Sequence, residues 1–299
     1  MGLIALLVAF GLERLLSARL HVREPSWLRA YVRWALRTAS RSGSDAAPLV
    51  VLAVLAVLPG FAVSAVSAVF APWLFGAFGV ALAALVLFFS LGPRDLRQEV
   101  NEYRAAAAHG DTAASERLCA EILEHDAGQR RGAGLQSVAE AVFVQANNRL
   151  FGVLFWFALL GPGAALTFRI TDLMRREAIL RANRGDAPPA AAAIGGACQR
   201  LHGVIAFLPA RLLALTYGVA GSFQESFSGW RGYLKRESDH FFDANDRLLV
   251  HAGQGALGSA WERIASETDR AGAALALTEA SLYVWVAGIA VLTLVAWIA

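Results

Sequence analysis

The chain reads as an all-α integral membrane protein, with about four full transmembrane helices, broken or re-entrant apolar helices and amphipathic cytoplasmic helices. Composition and one pattern lead there. Of its 299 residues, 57% are hydrophobic and only 17% charged, against about 25% charged in soluble domains, and the mean hydropathy is +0.48. The pattern is three charge-free runs, at residues 46–93, 150–168 and 280–299. A soluble enzyme, a disordered chain and a disulfide scaffold are excluded. Cys119 and Cys198 are too few and too far apart for a framework or a zinc site. The basic residues, 26 arginines and the single Lys235, leave a net charge of only +3. That is too small and scattered for a phosphate-binding stripe, so nucleic acid is not an expected partner.

The whole chain, 1–299, is expected to form a single membrane domain. Its spans fall at about 1–16, 47–69, 73–92 and 280–298, with broken apolar segments at 150–171 and 201–221. Cytoplasmic helical regions fill 17–45, 93–148 and 222–279. Met1–Leu16 is apolar up to Glu13-Arg14, so its charge comes at the far end and it reads as a retained helix. The run 46–93 is long enough for two helices of roughly 20 residues joined near Phe70-Ala71-Pro72. Gly161-Pro162-Gly163 interrupts the second run, and a helix crossing hydrocarbon does not normally carry such a break. Tyr283 and Trp285 in the last run are placed like an interfacial belt.

Arginine placement sets the expected orientation. Seven arginines lie within 14–41 and six within 169–200, and such an excess marks the cytoplasmic side. A re-entrant hairpin at the Gly-Pro-Gly break reconciles both clusters with one side of the bilayer. Within 25–41, Arg29, Arg33, Arg37 and Arg41 recur every four residues, with Trp27, Tyr31 and Trp34 on the opposite side. This is the pattern of an interfacial helix, with arginines for headgroups and indoles for the acyl boundary; an ordinary helix packed on the bundle is the alternative. Residues 94–126 read as a helical hairpin, its first arm ended by Gly110 in a left-handed cap and its second capped by Asp111. A further helix starts near Leu135. Residues 184–193 read as a loop. Residues 201–221, with His202, Pro209 and Arg211, suit a buried element better than a lipid-facing span.

Ionisable groups in apolar segments are costly and are functional candidates by default. They are Glu13 and Arg14, Arg169 and Asp172, and His202 and Arg211. Structural pairing, such as Arg169 with Asp172 at i,i+3, is the plainer alternative to convergence on one pocket. The histidines at 109, 125, 240 and 251 lack metal-ligand spacing, His21 stands alone, and no Walker loop or nucleophile elbow is present. No metal and no cofactor is expected.

Several motifs together carry a family resemblance. Leu12-Glu13-Arg14-Leu15-Leu16, Leu154-Phe155-Trp156-Phe157 before the glycine-rich break, Pro209-Ala210-Arg211-Leu212 and the short C-terminal span resemble AmpE. That family is an inner-membrane protein encoded beside an anhydro-muramyl-peptide amidase and linked to β-lactamase regulation. AmpE is in turn similar to CobD/CbiB, the membrane synthase that joins aminopropanol or its phosphate to adenosylcobyric acid. Gly110-Asp111, His125-Asp126 and Glu140 fall on that synthase's motif positions, and Pro209 to Leu212 match letter for letter. Its second Glu, its Asn and its Asp fall on Val144, Gln145 and Asn148, and its Tyr-Arg-x-x-Asn-Thr-Leu-Asp motif is reduced to Phe168-Arg169-Ile170-Thr171-Asp172. Those neutral side chains imply that the synthase chemistry has been lost.

The resemblance therefore implies a non-catalytic sensor or regulator in cell-wall recycling and β-lactamase induction, in a bacterial inner membrane that it crosses several times. The alternative is a membrane-embedded synthase or ligase of the CobD/CbiB type acting on an amphiphilic substrate, with Asp126, Glu140, Asp172 and Arg211 in its site. A transporter is disfavoured by the absence of an inverted repeat. Glu13, Arg14, Asp126, Glu140, Arg169, Asp172 and Arg211 form the expected ligand-binding cluster. The expected partners are the lipid bilayer and a muropeptide or another anionic amphiphile, with a protein partner or homodimer left open.

Overall fold

A computed structural model of the chain describes residues 26–41, 47–70, 77–91, 96–124, 137–182, 189–236 and 244–298. The expected first helix, with Glu13 and Arg14, and the site residue Asp126 lie outside the described residues. Among the described residues the regular structure is entirely helical. Four stretches are long and apolar enough to cross a bilayer: Ala47–Phe70, Val138–Leu160, Ala191–Ala220 and Glu267–Val295. The protein is an all-α membrane protein.

By contact the chain divides into two units. The first comprises Met1–Pro93, Asn148–Ile205 and Ile289–Ala299; the second comprises Arg94–Asn147 and Ala206–Gly288.

In the first unit, α1 (Ser26–Ala39), α2 (Ala47–Phe70) and α3 (Ala77–Ser90) lead up to α7 (Gly152–Leu160) and α8 (Pro162–Ala182). Between them in sequence come α4 (Leu96–Ala108), α5 (Thr112–Leu123) and α6 (Val138–Ala146), which belong to the second unit. Helix α1 has three faces. Its arginines at 29, 33 and 37 are exposed, and so are Trp27 and Trp34. A third face, Leu28, Val32, Ala35, Leu36 and Ala39, packs into a core with Leu52, Ala56, Ile170 and Met174. The sequence shows the first two faces and not this one. The Tyr31 hydroxyl donates to the Leu55 carbonyl at 2.6 Å, which fixes α1 against α2.

The apolar run at 150–168 breaks where its glycines stand. Gly161 closes α7 with φ +84° and ψ −168°, a backbone region open essentially only to glycine. The chain then folds back, so that the Phe168 ring lies directly against Gly152. Helix α9 (Pro189–Ala220) is longer than the sequence indicates. The alanines at 190–193, expected in a loop, are already helical, because Pro189 serves as a first-turn residue whose missing N–H costs nothing there. The apolar segment at 201–221 is not wholly buried either. It hides Ala206, Ala210, Leu213, Ala214 and Tyr217 while Leu208, Leu212, Leu215 and Val219 stay exposed.

In the second unit, Gly110 stands at φ +72° between α4 and α5, and the Asp111 carboxylate accepts from the Ala114 N–H at 2.9 Å. Helices α10 (Phe223–Arg236) and α11 (Ala244–Leu257) pack as a pair. They are followed by the short α12 (Ser259–Arg263) and the long α13 (Glu267–Ile298). The belt pattern at 283 and 285 splits. Tyr283 is exposed, but Trp285 is buried and its indole N–H donates to Thr216 Oγ1 at 3.0 Å.

Candidate functional site

The first unit contains a buried polar assembly built from three pieces of chain. The middle piece is α8, whose turn spacing puts Arg169 and Arg175 three residues either side of Asp172. Arg169 Nη1 donates to Asp172 Oδ2 at 2.7 Å, and Arg175 Nη2 donates to Oδ1 at 2.8 Å. Each carboxylate oxygen thus has its own guanidinium. Arg169 and Asp172 are 2% and 1% exposed, so the pairing is what makes their charges tolerable. Burial alone would raise the Asp172 carboxyl. The Arg175 and Arg169 guanidiniums outweigh it and hold the group well below the usual carboxylate range.

One residue along, Thr171 connects this centre to the other two pieces. Its hydroxyl donates to the Phe168 carbonyl at 2.8 Å and lies 3.2 Å from His202 Nδ1 on α9. His202 Nε2 stands 3.1 Å from Asn148 Oδ1, and the Phe168 ring packs on the imidazole with centroids 5.1 Å apart. Asn148 itself sits in a wide helical turn, Asn147–Phe151, where the α-helical ladder gives way to i→i+5 bonding between α6 and α7. Such π turns recur at functional sites. Here the turn holds Asn147, Asn148 and Arg149, all buried, inside a stretch otherwise apolar enough to span a membrane.

The other expected site residues belong to the second unit. Glu140 is the third residue of α6, where its backbone N–H bonds to Ser137 Oγ at 3.1 Å, the serine half of a capping box. The Ala139 N–H donates to Glu267 Oε1 at 3.2 Å. Arg211 is half-buried, donating to Asn245 Oδ1 at 2.7 Å and to the Phe207 carbonyl at 3.0 Å. Its guanidinium carbon lies 3.2 Å from the centroid of the Phe207 ring.

Sequence spacing points to Arg169 and Asp172 but not to their companions as one assembly. Arg175 has the same three-residue separation from Asp172 that singles out Arg169, and that signal was available. His202 is visible as an ionisable group in an apolar run. Its meeting with Asn148 and Thr171 is not visible. No group of three or more potential metal-ligating His, Cys, Asp or Glu side chains occurs among the described residues.

Asn148 and Thr171, which meet at His202, both lie in stretches compared above with CobD/CbiB. A family model described as CobD/Cbib protein matches residues 6–259, most of the chain. The chain belongs to the CobD/CbiB family. Among curated proteins it resembles the cobalamin biosynthesis protein CobD of Chromobacterium violaceum, 28% identical over 186 residues, which cover 60% of this chain and 54% of that protein. It also resembles the cobalamin biosynthesis protein CobD of Stutzerimonas stutzeri, 26% identical over 175 residues, covering 58% and 54%. The match thus spans about half the length of these relatives. No solved structure matches the chain.

Membership of the CobD/CbiB family overturns the AmpE assignment and, with it, the reading as a non-catalytic regulator of β-lactamase induction and cell-wall signalling. Of the neutral residues at 144, 145 and 148, Val144 is a buried apolar side chain. Gln145 and Asn148 are instead buried polar side chains, and Asn148 supplies an acceptor to the His202 network.

Proposed function

We propose that this CobD/CbiB family member is a membrane-embedded synthase or ligase acting on an amphiphilic substrate in cobalamin biosynthesis. The observation that carries this reading is the family match across residues 6–259, which includes Asn148, Thr171 and His202. The relatives' names point to the pathway, and the resemblance points to joining an amino alcohol or its phosphate to a corrinoid carboxyl group. Chemistry on an amphiphile suits a polar site set among apolar helices.

In this reading Arg169 and Arg175, held in place by Asp172, are the groups that meet an anionic part of the substrate. The Asn148–His202–Thr171 chain holds the neighbouring wall in place. Arg211 is a further anion-recognising group, its guanidinium pre-set by Asn245 and Phe207, and Glu140 is kept with it as a candidate. The protein is placed in a bacterial inner membrane, which it crosses several times.

The test is complementation of a bacterium deleted for its own family member, with corrinoid intermediates measured by mass spectrometry. Expression of this chain should restore cobalamin-dependent growth and clear the accumulated precursor. Normal membrane expression with no change in the corrinoid profile would overturn the proposal.

A further inference from the structure

Helix α10 in the second unit has one side locked and one side open. On the locked side, Ser226 Oγ donates to the Ala252 carbonyl at 3.0 Å. A Cβ on Gly229 would come within 2.8 Å of the His251 carbonyl oxygen, and one on Gly255 within 2.9 Å of Ser226 Cα. Backbones this close leave α10 a single way to lie on α11.

The open side is aromatic. Phe223 and Phe227 are 56% and 41% exposed, their rings stacked 6.1 Å apart and 5° from parallel. Trp230 meets Phe227 edge-on at 5.9 Å. The Arg231 guanidinium lies 5.6 Å from the Phe227 centroid. Spacings of four and three residues keep the three rings on one helical stripe.

The spanning stretch that precedes α10 also leaves an apolar side exposed. Helix α10 follows the spanning stretch Ala191–Ala220 after two residues, and the exposed side of that stretch carries Leu208, Leu212, Leu215 and Val219. Phe223 comes four residues after Val219. Aromatic rings concentrate at the membrane–water boundary, and an arginine beside them suits a headgroup phosphate.

We propose that α10 lies in the membrane interface, with Phe223, Phe227 and Trp230 in the headgroup–acyl boundary and Arg231 on phospholipid phosphate. The occupant of the stripe is the bilayer itself. Held flat by α11, the helix acts as a float that fixes the depth of the second unit.

The test uses the full chain in a C119A/C198A background, reconstituted into phosphatidylglycerol–phosphatidylethanolamine vesicles. Nitroxide labels are placed singly on cysteines at 223, 227, 224 and 228, and their relaxation by oxygen is compared with relaxation by a water-soluble nickel chelate. Labels at 223 and 227 should respond mainly to oxygen, and those at 224 and 228 mainly to nickel. Water-like behaviour at all four positions overturns the proposal. So does spin–spin broadening at 223 or 227 that vanishes on dilution with unlabelled protein, which would place a second copy on the stripe. A measurement without labels guards against misfolding. Brominated phosphatidylglycerol should quench wild-type fluorescence more than that of Trp230→Phe, and equal quenching also overturns the proposal.

Discussion

Gly60 of α2 and Gly163 of α8 lie face to face, each backbone occupying the place where the other's Cβ would stand. Thr167 and Ser64 fill the flanks of the crossing. Small residues let membrane helices approach this closely, and van der Waals packing then supplies the association. Gly60→Ala and Gly163→Ala should each lower stability by about 1–3 kcal/mol through overpacking. Gly195→Ala, which meets open space, should leave it unchanged or slightly raised. Thermal unfolding in detergent distinguishes the three, and equal midpoints would refute the close crossing.

Gly161 makes a different prediction, since its Cβ position is empty and only its backbone is demanding. Gly161→Ala should cost about 1–3 kcal/mol from dihedral strain alone. A wild-type unfolding midpoint for this variant would mean that the chain does not reverse there as described.

Asp172 should show its pairing in a pH series. Its carboxyl is depressed in the folded protein, so its contribution is fully present above the unfolded value of about 3.9 and is lost only as pH falls through the lower folded value. Asp172→Asn should therefore lower stability by about 3–5 kcal/mol, by the same amount at every pH from neutral to mildly acidic. The gap should close only in strong acid. A gap that shrinks between neutral and mildly acidic pH would show that Asp172 is not ionised by its two arginines.

Asn148 can be exchanged in two directions. Asn148→Leu removes the acceptor that faces His202 Nε2 and should cost about 1–3 kcal/mol for the stranded ring nitrogen. Asn148→Asp keeps an acceptor of the same shape at that position. Complementation should fail or weaken with Leu and persist with Asp. Equal growth from both variants, at equal expression, would remove this network from function.

Helices and membrane character were legible because they rest on local chemistry. An uncharged run, a glycine able to take positive φ at 110 or 161, and an aspartate at 111 each act within a few residues. What was not legible depends on partners far along the chain. Asn148 and His202 are separated by 54 residues, and no periodicity announces their meeting. The third face of α1 was missed because arginines and indoles draw the eye while Leu28, Val32 and Leu36 do the packing. The functional misreading has a chemical cause. A carboxylate replaced by an amide, as compared at Asn148, loses its charge but keeps its shape and an acceptor, so a neutral residue there does not by itself mean an abandoned site.

The charges of the buried centre bear on how the chain is made. Arg169 and Arg175 both pair with Asp172 within two turns of α8, so the carboxylate's partners are available as soon as that helix winds. A lone aspartate at mid-helix in a bilayer costs about 2.5–3.5 kcal/mol; Asp172 has both its partners on its own helix. The histidine contact follows later, because His202 is synthesised 31 residues after Thr171. The carboxylate's pairing is local, while the network that shapes the site is completed only once α9 has emerged.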